Sequence, residues 1–159
     1  MRVLVISDTH GYHENLDEVL SRERPYERVI HLGDIEGAQD YIESAAGCPV
    51  EAVRGNNDFF SDLPDEQIIE LAGKRIFMTH GHYYYVSAGV EFLIREARGR
   101  DVDLVMFGHT HCPLVRQEGG LWVLNPGSLS YPRQDGHAPS YLIMEWEENG
   151  EPEIFLNFL

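Results

Sequence analysis

Arg2-Val3-Leu4-Val5-Ile6-Ser7-Asp8-Thr9-His10-Gly11 is the stretch that decides the fold. Arg2 to Ile6 is a short apolar run without polar alternation, the pattern of a strand buried on both faces. Such strands belong to parallel sheets covered by helices. The run stops abruptly at Asp8 and His10, and in open α/β sheets ligands gather at the carboxyl ends of strands. The same succession recurs downstream. Val29–Leu32 leads into Gly33-Asp34, and Val50–Val53 leads into Gly55-Asn56-Asn57-Asp58.

Helical patterns lie between these strands. Leu16, Val19 and Leu20 recur at helical spacing in Glu14–Leu20, with His13 or Asn15 near the start. Ala38–Ala46 is a second helix, closed by Gly47 and stopped by Pro49. Strand–helix–strand–helix–strand at this spacing implies parallel pairing through right-handed crossovers. Beyond it, Gln67–Leu71 and Arg75–Met78 flank a hairpin signal at Ala72-Gly73-Lys74. Ser87–Arg98 reads as one helix, with Val90, Leu93, Ile94 and Ala97 on one face and Ser87 as its cap. Asp103–Phe107 is a further buried strand. Leu114–Gln117 and Leu121–Leu124 flank Gly119-Gly120, while Ser140–Trp146 and Glu153–Phe158 flank Asn149-Gly150, the strongest hairpin signal in the chain. The class is α/β with a large antiparallel share: two mixed sheets packed together with helices outside.

The 159 residues suit one domain, residues 1–159, with 43% hydrophobic and 25% charged residues. Charge is the unusual quantity. Twelve Lys and Arg stand against 27 Asp and Glu, a net charge of −15. That balance repels a nucleic-acid backbone and argues against an extended duplex-binding face. Cys48 and Cys112 are too few and too far apart for a disulfide framework or a thiolate zinc site, so a reduced, cytoplasmic setting is expected. Val3-Leu4-Val5-Ile6 is too short for a signal-peptide core, and no apolar stretch approaches the ~18 residues of a membrane span.

Chemistry is concentrated in five islands: Ser7–Gly11, His31–Asp34, Gly55–Asp58, Thr79-His80-Gly81-His82 and Gly108-His109-Thr110-His111. Asp8 and His10 are two apart, as are His109 and His111. In an extended segment that spacing aims both side chains at one point. Imidazole, carboxylate and amide oxygen without thiolate suit Mn, Fe, Zn, Ni or Co rather than a structural zinc knot. Seven candidates, Asp8, His10, Asp34, Asn56, His80, His109 and His111, exceed the needs of one tetrahedral ion. They suffice for two octahedral-like ions sharing a carboxylate.

At these residues the chain resembles the calcineurin-like metallophosphoesterase superfamily. The family's signature runs D-x-H, G-D, G-N-H-[DE], a lone His and G-H-x-H. Here it reads Asp8-Thr9-His10, Gly33-Asp34, Gly55-Asn56-Asn57-Asp58, His80 and Gly108-His109-Thr110-His111. The small size and Asn125-Pro126-Gly127-Ser128 look like the compact bacterial and archaeal phosphodiesterase branch, which also contains a eukaryotic retromer subunit. The resemblance implies a four-layer α/β/β/α sandwich. It implies that Asp8, His10 and His111 bind one divalent ion, that Asn56, His80 and His109 bind a second, and that Asp34 bridges them. It also implies Mn²⁺ as the activating ion, with Ni²⁺, Zn²⁺, Fe²⁺ or Co²⁺ as substitutes. The implied reaction is hydrolysis of a small phosphodiester by a hydroxide held between the two ions. The rivals are a scaffold protein on the same fold, as in the retromer subunit, and a nuclease, which the acidity opposes. A homo-oligomer is left open.

One departure touches the catalytic residues. Where the family has a histidine as leaving-group donor, this chain has Asn57, whose amide cannot act as a general acid. Asp58, the partner that would orient that histidine, loses its usual task.

Other residues have plainer readings beside sharper ones. His31, inside a strand, reads as a satisfied core histidine; His13 and His137 read as surface residues. His82 is either a group orienting a ligand or an ordinary loop histidine. Of Tyr83-Tyr84-Tyr85 at least one packs in the core, and one could line a substrate groove. Asn125–Ser128 either offers N–H groups to a phosphate or is a tight turn. Arg133, the only Lys or Arg after Leu124, either holds a phosphate or solvates a loop. Cys112 reads as a buried, inert thiol rather than a ligand.

Overall fold

The computed structural model describes residues 1–147 and 150–159. β1 (Arg2–Ile6), α1 (Glu14–Arg22), β2 (Arg28–His31), α2 (Gln39–Ala46) and β3 (Val50–Ala52) form the expected alternating half. β4 (Glu66–Leu71), β5 (Lys74–Thr79), a 3₁₀ turn (His82–Tyr84), α3 (Glu91–Gly99), β6 (Leu104–Met106), β7 (Leu114–Glu118), β8 (Leu121–Asn125), β9 (Ser140–Glu145) and β10 (Glu153–Phe158) follow.

The strands make two five-stranded sheets, ordered β10-β9-β1-β2-β3 and β4-β5-β6-β8-β7. Both are mixed. β1, β2 and β3 run parallel in the first, as do β5, β6 and β8 in the second. Antiparallel strands β9 and β10, and β4 and β7, complete the edges.

Why β1 carries no polar alternation is plain from its neighbours. Val3 and Val5 face the second sheet, packed with Ile76, Met78, Leu104 and Met106. Leu4 and Ile6 point the other way, onto Leu16, Val19 and Leu20 of α1 and Ile42 of α2. The outer face of the second sheet presents Phe77, Val105 and Val123 to Leu93, Ile94 and Ala97 of α3. Three apolar clusters thus separate four layers: helices, sheet, sheet, helix. Each fully buried aliphatic side chain in them contributes roughly 1.5–3 kcal/mol.

Two hairpins turn as expected, on consecutive residues with positive φ: Ala72 and Gly73 at 49° and 76°, Gly119 and Gly120 at 55° and 84°. β9 and β10 also pair antiparallel, but Asn149 of their expected turn lies outside the described residues. The third helix needs correction. It starts at Glu91, with Val90 at its N-terminus, rather than at Ser87, and no side chain caps it. Gly89 holds φ at 152°, which a helix cannot accommodate, so the segment before it turns instead, with Ala88 N–H donating to the Tyr85 carbonyl.

Candidate metal centre

Parallel strands bring their carboxyl ends to one edge, and the two sheets share it. Loops after β1, β2, β3, β5 and β6 therefore converge with all seven ligand candidates. The local backbone, however, is not extended as the two-residue spacings suggested. Asp8, His10, Asp34, His109 and His111 all hold left-handed φ, between 48° and 66°. The side chains converge through alternate kinks rather than through a pleat. Non-glycine residues adopt that region at a cost, and such strain gathers at functional sites. Two glycines permit the crowding: a Cβ on Gly55 would overlap the Asp34 carboxylate, and one on Gly108 would overlap that of Asp8.

The candidates form two groups. Asp8 Oδ1 lies 3.1 Å from His111 Nε2 and 3.8 Å from His10 Nε2, and Asp34 Oδ2 lies 3.8 Å from His10 Nε2. One atom from each of these four residues lies within 4.8 Å of the others. Octahedral ligands about 2.1 Å from an ion stand about 3.0 Å apart when adjacent and about 4.2 Å when opposite. A single ion fits that group. In the second group, His80 Nε2 is 3.5 Å from Asp34 Oδ2 and 3.1 Å from Asn56 Oδ1, and His109 Nδ1 is 2.9 Å from the same amide oxygen. Asp34 Oδ2 faces both groups.

Each imidazole of three is held from behind. Nδ1 of His10 meets Glu36 Oε1, that of His80 the Leu32 carbonyl and that of His111 the Tyr131 carbonyl, each at 2.7 Å. Those oxygens only accept, so Nδ1 carries a proton and Nε2 is the atom turned inward, with its lone pair facing the centre whenever the ring is neutral. Asp8 Oδ2 accepts from the Ser7 hydroxyl (2.6 Å) and the His109 N–H (3.1 Å). Its other oxygen, Oδ1, is buried with no hydrogen-bond partner among the described residues. Lone pairs therefore point at lone pairs, an arrangement that a cation relieves.

The electrostatics agree. Burial pushes Asp8 and Asp34 upward, but the imidazoles beside them win. His111 and His80 hold Asp8 below the usual carboxylate range, and His80 with Asn57 does the same for Asp34. His80 is raised although burial alone would lower it, because Asp34 and Asp8 favour its proton. His109 is lowered, by burial first and then by His80. A bound divalent ion would displace the His80 proton, as metal binding to imidazole does generally.

Asn57 and Asp58 are both bound to the ligand-bearing loops. Both donors of Asn57 go to Asp34, the backbone N–H to Oδ1 at 2.8 Å and Nδ2 to Oδ2 at 2.7 Å. The amide thus orients the shared carboxylate. Asp58 is 5% exposed, and its carboxylate accepts N–H groups from Gly55 (2.7 Å), Asp34 (2.8 Å) and Glu36 (2.6 Å). It ties two ligand-bearing loops together, a task that needs no histidine partner.

His31 is the core histidine expected: Nδ1 accepts the Gly33 N–H at 3.2 Å, and Nε2 donates to Thr9 Oγ1 at 3.0 Å. Burial pushes it down to about 4. His82 makes no hydrogen bond to a ligand candidate among the described residues; its ring lies 5.5 Å from that of His80 and 4.0 Å from that of Tyr83. Tyr84 is the buried member of the tyrosine run, while Tyr83 and Tyr85 are exposed. Asn125–Ser128 is the turn. The Gly127 N–H donates to Asn125 Oδ1, Asn125 Nδ2 braces the Gly108 carbonyl, and the Ser128 hydroxyl braces that of Asp8. Arg133 is exposed, and its backbone N–H donates to the His111 carbonyl. Cys112 is half-buried rather than buried. Glu36 was not foreseen. Only its place two residues after Asp34 hinted at it.

The sequence profile of the calcineurin-like phosphoesterase superfamily domain matches residues 1–149. The chain belongs to the calcineurin-like phosphoesterase superfamily. It is 32% identical over 152 residues to the probable metallophosphoesterase YsnB of Bacillus subtilis, covering 94% of this chain and 86% of that one. It is 30% identical over 170 residues to phosphodiesterase YfcE of Escherichia coli K12, covering 91% and 88%. Among solved structures, Vps29 of Entamoeba histolytica complexed with Zn²⁺ superposes with a TM-score of 0.79 at 26% identity, covering 99% of each chain. Superfamily membership makes the chain a phosphoesterase relative with a candidate metal site, on the four-layer fold described.

Proposed function

We propose that the protein is a dinuclear metal-dependent phosphodiesterase acting on a small phosphodiester in the cytoplasm, as a single domain. The observation that carries this is the set of inward-facing lone pairs. Asp8 Oδ1 is buried without a donor, and three imidazoles are fixed from behind so that Nε2 faces it. Asp8, His10 and His111 hold one ion, Asn56, His80 and His109 the other, and Asp34 faces both. Mn²⁺ is the activating ion, a choice that follows the family resemblance. The bound ions supply Lewis acidity toward the phosphoryl group and lower the pKa of a water ligand.

The chain's own residues do the rest. Glu36 and the Leu32 and Tyr131 carbonyls keep each imidazole in the tautomer that binds a cation. Asn57 fixes the rotation of the Asp34 carboxylate. Among the described residues, the hydroxyls nearest the centre are engaged: Ser7 donates to Asp8, Thr110 to the Cys112 carbonyl and Ser128 to the Asp8 carbonyl, while Thr9 accepts from His31. Attack by water therefore suits the site better than a covalent intermediate. The name of YfcE supports a diester over a monoester substrate, and the net charge of −15 disfavours long nucleic acids.

Metal-stripped protein, reloaded with Mn²⁺, Ni²⁺, Zn²⁺ or Mg²⁺, should hydrolyse bis-p-nitrophenyl phosphate and prefer it to p-nitrophenyl phosphate. Absence of diester hydrolysis under every metal would instead favour a binding protein on this fold.

A further inference from the structure

The loop after β3 and the turn after β5 each follow a ligand candidate, Asn56 and His80, with aromatic rings held in solvent. Phe59 is 75% exposed, Phe60 fully so and Tyr83 59% exposed. Single exposed apolar side chains need no explanation. Here three from two loops line one cavity of 360 Å³, together with Arg54, Asn56 and His82. Asn56 belongs both to this cavity and to the second ligand group. The cavity therefore adjoins the second ligand group.

The rings are held outward by structure. Phe60 sits at φ 63°, a costly conformation for a bulky residue. The turn that imposes it is tied down by Asp58, whose carboxylate takes the Gly55 N–H, and by the Phe59 N–H on the Asn57 carbonyl at 2.9 Å. The Tyr83 ring lies 4.0 Å from that of His82. Arg54 is paired with Asp65 at 2.7 Å, so its charge is already matched. The cavity thus offers aromatic faces and polar edges, suited to an uncharged flat ring rather than to a second phosphate.

Beside the first group stands another wall. Tyr131, 47% exposed, lies edge-on to His10 at 5.2 Å and to Tyr12 at 5.6 Å. A diester meets an aromatic wall beside each ligand group, whereas a monoester has one substituent for two walls.

We propose that the Phe59–Phe60–Tyr83 cavity is the subsite for a planar unsaturated ring of the ester, a nucleobase or an aryl group. This rests on the phosphodiesterase reading above. The test is calorimetric binding of phenylphosphonate and methylphosphonate to the Mn²⁺-loaded protein, since a P–C bond is not hydrolysed. Phenylphosphonate should bind at least about 5-fold more tightly, the low end for stacking on an aromatic side chain. The preference should collapse toward unity in Tyr83→Ala with Phe60→Ala, and Tyr83→Phe should keep it. Equal binding of the two by the native protein, or a preference that survives the double substitution, overturns the ring subsite while leaving the phosphoryl site standing. If neither phosphonate binds the loaded protein, the phosphoryl site falls and the subsite falls with it.

Discussion

Replacing Asp58 by alanine should damage the protein more than its position outside the ligand set suggests. Its carboxylate accepts three backbone N–H groups, from Gly55, Asp34 and Glu36. The first two are buried, and a hydrogen bond to a charged acceptor contributes about 1.5–3 kcal/mol. Counting only those two, because water can reach Glu36, Asp58→Ala should cost about 3–6 kcal/mol. At about 2–4 °C per kcal/mol for a chain of this size, Tm should fall by roughly 6–24 °C. Asp58→Asn should cost less. Its amide oxygen can still serve Gly55 and Asp34, while its NH₂ confronts the Glu36 N–H. Chemical denaturation of the chelated proteins isolates this effect from metal binding. The same variants, titrated with Mn²⁺, should lose affinity at both sites because the Asp34 loop has lost its anchor. A cost below about 1 kcal/mol for Asp58→Ala would refute the clamp.

Glu36→Ala should weaken one ion by about 10–100-fold and leave the other nearly intact, since among the described ligand candidates the Glu36 carboxylate hydrogen-bonds only His10; stepwise metal titration would show it, and equal loss at both sites would count against it. Asn57 offers no general acid, so hydrolysis should favour aryl over alkyl leaving groups by about 10²–10⁴-fold, and Asn57→His should narrow the gap. A shallow dependence on leaving-group pKa in the native protein would sink that idea. His31, at about 4 in the native chain against 6.5 when unfolded, leaves the unfolded chain binding the extra proton between those values. Stability from this group is therefore full above pH 6.5 and drops by about 3 kcal/mol as pH falls to 4. Its ring resonances should show no titration above pH 5, and an inflection near 6.5 would contradict the burial argument.

Much of this was legible in the amino-acid sequence because burial leaves a pattern. Val3–Ile6 reads as a two-sided strand since alternate residues meet different layers, and both do exclude water. Gly47 and Gly119-Gly120 mark turns because they need positive φ. The start of α3 was not legible: Ser87 offers a good cap, but Gly89 breaks the helix before the cap can be used. At the site, residue types and spacing carried the ligand candidates, yet not how they converge. Left-handed φ at Asp8 and His10 is set by loops packing against each other, which the local sequence does not encode. The tasks of Asp58 and Glu36 were hidden for a related reason. Asp58 acts on backbone N–H groups, which every residue but proline has, and Glu36 reaches His10 only through the fold.

The central claim is two ions per chain acting on one phosphodiester. Metal-stripped protein should be titrated with Mn²⁺ while hydrolysis of bis-p-nitrophenyl phosphate is followed at each addition. We expect activity to appear mainly with the second equivalent and to saturate there, and Asp34→Asn to abolish it. Saturation at one equivalent, or full activity in the chelated protein, would contradict the dinuclear centre.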